Sequence, residues 1–316
     1  MTISDTPAVI GVDIGGTKIA VVSSRKDGVV LADATRPTQA ASHPDTIPQR
    51  IAEAIRDVIS RTPADIAGIG IACPGPVDAI AGVALNAVNL GWKQMPIRQT
   101  LNEALGSSAP PIFLQNDVNA LAVGEHVFGA GSDGADFVLM AMGTGLGGGA
   151  FTNGLLVNGA RGCAMEVGHI VLHPNGRPCN CGLLGCAERY ASGIGLADGA
   201  IAHGLVNDDG TAVSTRTLVD MARRGSAQAL AVIDDAADAL GQVMAWTAVA
   251  YDPARIIIGG GLGTAIFDLI APRATRAMQG RLMHDIGQSM QVVPAQVSAT
   301  ALGAAALAFY GLEQRS

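Results

Sequence analysis

Four soft ligands stand close together between Glu166 and Glu188, where the chain reads E-V-G-H-I-V-L-H-P-N-G-R-P-C-N-C-G-L-L-G-C-A-E. His169, Cys179, Cys181 and Cys186 offer one imidazole and three thiolates, a set that suits Zn²⁺ in a closed four-coordinate site. The three cysteines fall within eight residues as C-x-C-G-x-x-G-C, a density that ordinary buried thiols do not require. Gly182 and Gly185 let the backbone turn tightly around an ion, and His173 competes with His169 for the imidazole position. A carboxylate closes the segment at each end. The expected chemistry is a polar binding loop built on a metal site.

Glycine-rich turns carry a second chemistry. D-I-G-G-T-K at 13–18 and M-G-T-G-L-G-G-G at 142–149 each join two apolar runs, and Gly259-Gly260-Gly261 follows a third. Successive backbone N–H groups in such turns cradle phosphate, glycine permits close approach, and a threonine hydroxyl adds a donor. Neither of the first two closes as the G-K-[ST] of a Walker A loop. Gly143-x-Gly145-x-x-Gly148 matches the dinucleotide fingerprint, with Glu166 about 20 residues on. That fingerprint must open a helix, whereas 148–154 reads as strand and turn, which argues against a dehydrogenase. Asn116-Asp117 lies between an apolar strand and a helix. Asp117 there serves either as a helix N-cap or as a general base that takes a proton from an attacking alcohol.

The elements that must position these groups alternate strand and helix. Apolar runs at 8–14, 18–24 and 29–35 form an antiparallel meander. Helical periodicity at 46–61 through Ile47, Ile51, Ile55, Val58 and Ile59 precedes a buried strand at 66–72. Helix, strand and helix follow at 96–105, 112–115 and 118–127, then a second hairpin at 137–142 and 148–152. A long helix at 227–251, a short strand at 255–258 and a terminal helix at 299–310 complete the pattern. At 316 residues the chain has length for two domains.

A net charge of −7 argues against a nucleic-acid surface. The stretch 137–160 is uncharged, but its seven glycines exclude a membrane-spanning helix. The start M-T-I-S-D-T-P-A-V-I-G-V-D has no basic segment followed by an apolar one, so no secretory signal is expected. The cysteines are accordingly expected to be reduced in the cytoplasm, with Cys73 and Cys163 as ordinary buried thiols.

The chain resembles the ROK family of sugar kinases, which have the actin-like ATPase fold shared with hexokinases and actin. D-I-G-G-T-K, A-C-P-G-P-V-D, N-L-G-W, N-D-V-N-A, G-T-G-L-G-G-G, E-V-G-H, C-N-C-G-L-L-G-C-A-E and G-G-G-L carry the resemblance along nearly the whole chain. It implies an α/β, two-domain actin-like ATPase (ribonuclease H-like) fold with an active-site cleft between the domains. The expected domains are a small amino-terminal one at 1–117, onto which a terminal helix at about 299–316 packs back, and a larger one at 118–298 with the zinc loop.

Asp13, Gly15, Gly16, Thr17 and Lys18 would then form the first phosphate loop, Thr144 and Gly145 the second, and Gly260-Gly261 the nucleoside-side loop. Asp117 would be the general base. Asn89, Asn116, Asp117, Glu166, His169 and Glu188 would pair with sugar hydroxyls, and Gly75 would lie against the ring. His169 would bind a structural Zn²⁺ through one nitrogen and face the sugar with the other. The implied ligands are ATP with Mg²⁺ and glucose, with N-acetylmannosamine, mannose, fructose, allose and N-acetylglucosamine as alternative sugars and polyphosphate as an alternative donor. A homodimer or a dimer of dimers is implied, with no nucleic-acid or membrane partner.

Readings from other classes are weaker. Sugar-responsive repressors carry a helix-turn-helix domain, which is not expected ahead of Asp13. A silent sugar sensor has no need of Asp117 and both phosphate turns. An actin-like filament protein has no use for the zinc-linked loop. A zinc hydrolase needs an open coordination position, whereas one histidine and three cysteines fill four.

Overall fold

The apolar run Ala8–Ile14 forms β1, buried at every position but Asp13. A strand covered on both faces needs such continuous apolar sequence. The computed structural model describes residues 7–297 and 299–315. Residues 1–6, part of the stretch in which no secretory signal was expected, lie outside the described residues, as do Ser298 and Ser316 at the ends of the expected second domain and terminal helix.

β2 (Lys18–Ser24) and β3 (Val30–Pro37) continue β1 as the expected antiparallel meander. α1 (Ile47–Arg61) buries Ile47, Ile51, Ile55 and Val58 against the sheet as one apolar stripe. β4 (Ile66–Cys73) lies parallel to β1. β5 (Val77–Asp78), β6 (Val83–Ala87) and β7 (Trp92–Met95) form a small separate sheet. α2 (Ile97–Leu105), β8 (Ile112–Asn116), parallel to β4, and α3 (Asp117–Phe128) follow. The main sheet has the order β3-β2-β1-β4-β8.

A second sheet is built on β9 (Phe137–Met142) and its antiparallel partner β10 (Leu146–Thr152), with a short β11 (Leu155–Leu156) beyond. α4 (Gly193–Ala202), α5 (Thr215–Arg223) and α6 (Ala227–Tyr251) precede β12 (Arg255–Gly259). α7 (Gly260–Ala265), α8 (Phe267–Gln279), α9 (His284–Ser289) and β13 (Gln291–Pro294) complete it. β12 is parallel to both β9 and β13, so the order β11-β10-β9-β12-β13 repeats the pattern of the first sheet. This is the expected ribonuclease H-like α/β arrangement, present twice. The uncharged stretch is the β9–β10 hairpin, and among the described residues no helix is long and apolar enough to cross a membrane.

The chain divides into two compact units. One contains the residues up to Asp133, Leu156–Ala164 and the carboxy-terminal segment from Ala299; the other contains Gly134–Leu155 and Met165–Ser298. The division differs from the expected boundary at 117, because α3 packs on β4, β8 and α10 (Thr300–Glu313) within the first unit. α10 lies on β1 and β4 as the last element of that unit, and its approach is unusually close. Gly11 and Gly70 are register partners on these strands. A Cβ on Gly11 would fall onto the Ala301 carbonyl oxygen, and one on Gly70 onto that of Ala304. Replacing Gly70 with Val is therefore expected to cost about 3 kcal/mol, because backbone cannot yield as a side-chain tip can. The check is a lower denaturant midpoint at unchanged slope; an unshifted midpoint would contradict the close packing.

Candidate functional site

In the first unit, the turn between β1 and β2 is fixed from behind. Gly15 N–H donates to the Lys18 carbonyl at 2.9 Å, and the buried Thr38 donates its hydroxyl to the Gly15 carbonyl at 2.6 Å and its N–H to that of Thr17 at 2.9 Å. Gly16, Thr17 and Lys18 are left exposed, as an anion-binding turn requires. Thr38 carries no motif signal, which is why sequence reading missed it. Asn89 comes to this turn: a Cβ on Gly16 would stand 3.5 Å from the Asn89 Cβ.

Asp13, at the end of β1, is partly buried beside Asp117. Burial first, and the Asp117 charge second, push its carboxyl up to about 6, while Lys18 opposes the rise. Two carboxylates and an exposed lysine thus share one electrostatic neighbourhood, which a bound cation would relieve.

Asn116 and Asp117 occupy the junction of β8 and α3. The capping role falls to Asn116, whose Oδ1 accepts from the N–H groups of Val118 at 2.9 Å and Asn119 at 3.4 Å. Its Nδ2 donates to the Gly75 carbonyl at 3.0 Å. Gly75 has φ +78°, and a Cβ there would meet the Asn86 carbonyl oxygen, so this turn requires glycine. Asp117 takes the first helical position, and its Oδ1 accepts from Val118 N–H at 2.9 Å. A carboxylate is favoured there by the helix dipole. Cys73 is the expected buried thiol, raised to about 12 by burial and then by the Asp117 charge. Cys163 corrects the expectation: it is exposed, because it sits in the surface loop 158–164 and not on a strand.

In the second unit, the β9–β10 turn is closed by Gly143 N–H donating to the Gly145 carbonyl at 2.9 Å. Gly193 N–H, at the start of α4, donates to the Gly143 carbonyl at 2.9 Å. Thr144 is exposed at the tip. The Glu188 carboxylate lies against this backbone: Leu146 N–H donates to its Oε2 at 3.1 Å, and a Cβ on Gly145 would collide with the same oxygen. Gly260, with φ +77°, packs on the Met142 carbonyl, so the Gly260-Gly261 turn also comes to the end of β9. β10 is strand throughout, and the dinucleotide fingerprint is a false match.

The ligand atoms of His169, Cys179, Cys181 and Cys186 lie within 4.8 Å of one another. Cys179 Sγ is 3.7 Å from His169 Nδ1, and the Sγ atoms of Cys181 and Cys186 are 3.6 Å apart. These separations suit four ligands around one ion at roughly 2.0–2.3 Å, so the set fits a structural zinc. Burial first, then the neighbouring thiols, push Cys186 up to about 12, a cost that a divalent cation would reverse. His173 is not part of the cluster; its ring lies 4.6 Å from that of Tyr190. Sequence reading missed Arg177, which stacks over Tyr190 at 4.6 Å and donates to the Arg189 and Gly195 carbonyls at 2.8 and 3.1 Å. It ties the metal loop to the start of α4.

Glu166 precedes the short turn Val167–His169, and its carbonyl accepts from His169 N–H at 3.0 Å. Its exposed side chain stands on the rim of a 240 Å³ cavity with Trp246, Thr247 and Tyr251. The first unit thus gathers Asp13, the 15–18 turn, Asn89, Gly75, Asn116 and Asp117. The second gathers Thr144, Gly145, Glu188, the four metal ligands and the 260–261 turn.

A family model described as ROK family matches residues 9–310. A glucokinase of Thermotoga maritima is 34% identical over 310 residues, covering 94% of this chain and 96% of its own. An N-acetylmannosamine kinase of Salmonella newport is 31% identical over 289 residues, covering 88% of this chain and 94% of its own. A ROK family glucokinase from Streptomyces griseus, solved in complex with glucose and AMPPNP, superposes with a TM-score of 0.78 at 32% identity, over 96% of this chain and 99% of its own.

The raised Asp13 carboxyl makes stability depend on pH. The folded chain holds this proton more tightly than the unfolded chain, so ionised Asp13 destabilises above about pH 6 and contributes nothing below pH 3.8. Asp13→Asn is expected to raise the melting temperature at about pH 8, by the equivalent of roughly 3 kcal/mol at most, with the gain fading as pH falls towards 4. A gain independent of pH would assign it to something other than this proton. For the metal cluster, elemental analysis of protein purified without chelator is expected to give about one zinc per chain, and Cys181→Ser about half of that or less.

Proposed function

The chain belongs to the ROK family, and on that premise we propose that it transfers the γ-phosphoryl group of ATP to the 6-hydroxyl of glucose. The observation that carries this reading is the junction of β8 and α3, which holds the Asp117 carboxylate at a strand end beside Asp13. A carboxylate fixed in this way accepts the proton of an attacking hydroxyl as the oxygen bonds to phosphorus.

The exposed turns at 15–18 and 144–145 would hold phosphate oxygens through backbone N–H groups, threonine hydroxyls and the Lys18 ammonium. Gly260 and Gly261 would lie against the nucleoside. Mg²⁺ bound with ATP would neutralise phosphate charge, with Asp13 as the nearby carboxylate. Asn89, Asn116, Glu166, His169 and Glu188 would pair with the remaining sugar hydroxyls, and Gly75 would face the ring. Such a set rejects analogues that leave its polar groups unpaired. Zinc at His169, Cys179, Cys181 and Cys186 would supply rigidity, fixing which imidazole nitrogen is free.

Glucose is preferred because the glucokinase of Thermotoga maritima matches more of this chain, at higher identity, than the N-acetylmannosamine kinase of Salmonella newport. N-acetylmannosamine is the second reading. ATP is preferred over polyphosphate because the Streptomyces griseus glucokinase binds AMPPNP. A cytoplasmic setting would supply ATP and keep the ligand thiols reduced, and a homodimer or dimer of dimers is the assembly expected from the family.

ADP release with Mg-ATP over a panel of hexoses and N-acetylhexosamines is expected to be fastest with glucose. Asp117→Ala is expected to lower kcat by about 10³-fold. No sugar-dependent turnover by folded, zinc-loaded wild-type protein would sink the kinase reading. A higher kcat/KM for N-acetylmannosamine would replace the substrate but keep the chemistry.

A further inference from the structure

Behind the turn that carries Asp117, the side chains of Gln115 and Asn158 form a hydrogen-bonded link, and we propose that this link positions the base for sugar phosphorylation. The inference rests on the kinase reading and adds two positioning residues to it.

Gln115 is only 4% exposed, although it is polar and lies on a strand. Its partners fix the orientation of its amide. Oε1 accepts from the Asn116 N–H at 3.0 Å and from Asn119 Nδ2 at 3.2 Å, so Nε2 faces outwards and donates to Asn158 Oδ1. One side chain therefore touches the residue before Asp117, the first turn of α3 and the loop at 158–164. The loop is closed by Ala164 N–H donating to the Asn158 carbonyl at 3.2 Å. At its entry, Leu156 N–H donates to the Tyr310 hydroxyl at 3.1 Å. Gly162 seats it on β5, where a Cβ would stand 2.5 Å from the Val77 carbonyl oxygen.

A cavity of 490 Å³, lined by Asp78, Gln115, Asn158 and Arg161 among others, lies alongside. The Asn116 and Asn119 bonds hold the Oε1 end of the Gln115 amide, and on the cavity side the bond to Asn158 holds its Nε2 end. Two residues beyond Ala164 the chain reaches Glu166, which the kinase reading assigns to a sugar hydroxyl. The link thus ties the base turn to the segment that leads into the sugar-pairing residues. A base displaced by a fraction of an ångström loses rate while substrate still binds.

Asn158 is exposed, so its replacement leaves the core of the fold intact. Asn158→Ala removes the acceptor, whereas Asn158→Asp keeps an oxygen at the same place and presents it to solvent as a tolerable charge. With glucose and Mg-ATP, Asn158→Ala is expected to lower kcat about tenfold, with the KM for ATP and the melting temperature unchanged. Asn158→Asp is expected to remain close to wild type. An unimpaired alanine variant, or equal losses in both variants, would overturn the proposal. So would a fall in melting temperature that accompanied the loss of rate. Absence of turnover by the wild-type protein on every sugar of the panel would instead remove the kinase reading, and this inference with it.

Discussion

The parallel register of β1, β4 and β8 is the constraint on which the rest of the first unit depends. Asp13 pairs with Ala72, and Cys73 with Asn116, so the three strands end level. With neighbours about 4.8 Å apart, the end of β1 and the end of β8 are separated by roughly 10 Å. That is near enough for the Asp117 charge to act on Asp13. A slip of one residue would turn Asp13 to the other face and remove the pair. The carboxyl ends of parallel strands are where open α/β sheets bind ligands, and the glycine turn after β1 completes that edge. The register is itself held by α10, which rests on the paired glycines Gly11 and Gly70. No side chain could intervene there without lifting the helix.

The second unit uses the same strand pattern with a different source of charge. Its counterparts of β1 and β4 are β9 and β12, which end at Met142 and Gly259, where the Gly143–Gly145 turn and Gly260 meet. No carboxylate ends β9. The cysteine loop delivers Glu188 instead, two residues after Cys186, and Leu146 N–H anchors its carboxylate to the turn. Gly185 has φ +79° and packs on the His173 carbonyl, so the loop doubles back where Cys186 must face Cys181. An ion held by the cluster would therefore be coupled to the Glu188 carboxylate through the backbone of Cys186, Ala187 and Glu188.

Elements with long uniform patterns were legible in the sequence. β1 is apolar without interruption and α1 carries a regular isoleucine stripe, so periodicity alone placed both. β5, β6 and β7 were not legible, because Asp78, Asn86, Lys93 and Gln94 interrupt these short strands, whereas the equally short β8 and β12 carry runs of three apolar residues. α4 begins Gly-Ile-Gly and α8 contains Pro272, sequences that oppose helix locally and are overridden by tertiary packing. Among site residues, the glycine turns and the cysteine cluster showed themselves by spacing. The choice between His169 and His173 needed coordinates, since both are reachable from the cysteines along the chain and only the fold shows His169 in the cluster and His173 against the Tyr190 ring. Asp117 and Asn116 exchanged the capping role for a related reason: either side chain can cap, and the Gly75 carbonyl draws Asn116 into that position. Thr38 and Arg177 act through backbone groups far away in sequence, and Gln115 reaches the Asn158 side chain far along the chain, so no local pattern marks them.

The least comfortable group in the first unit is also the one that the proposed chemistry needs. At neutral pH, Asp13 is ionised against its burial and against Asp117, at a cost of up to roughly 3 kcal/mol that the rest of the fold must offset. An apolar residue at the end of β1 would remove that cost, yet a cation arriving with a nucleotide finds its best partner where carboxylates are already crowded. Part of the binding free energy then appears as relief of repulsion, so ligand affinity and fold stability become linked quantities. A site assembled from relaxed groups would gain less from the same ion. Strain of this kind is tolerable here because it sits on the central strand of the sheet, between α1 on one face and the glycine-seated α10 on the other.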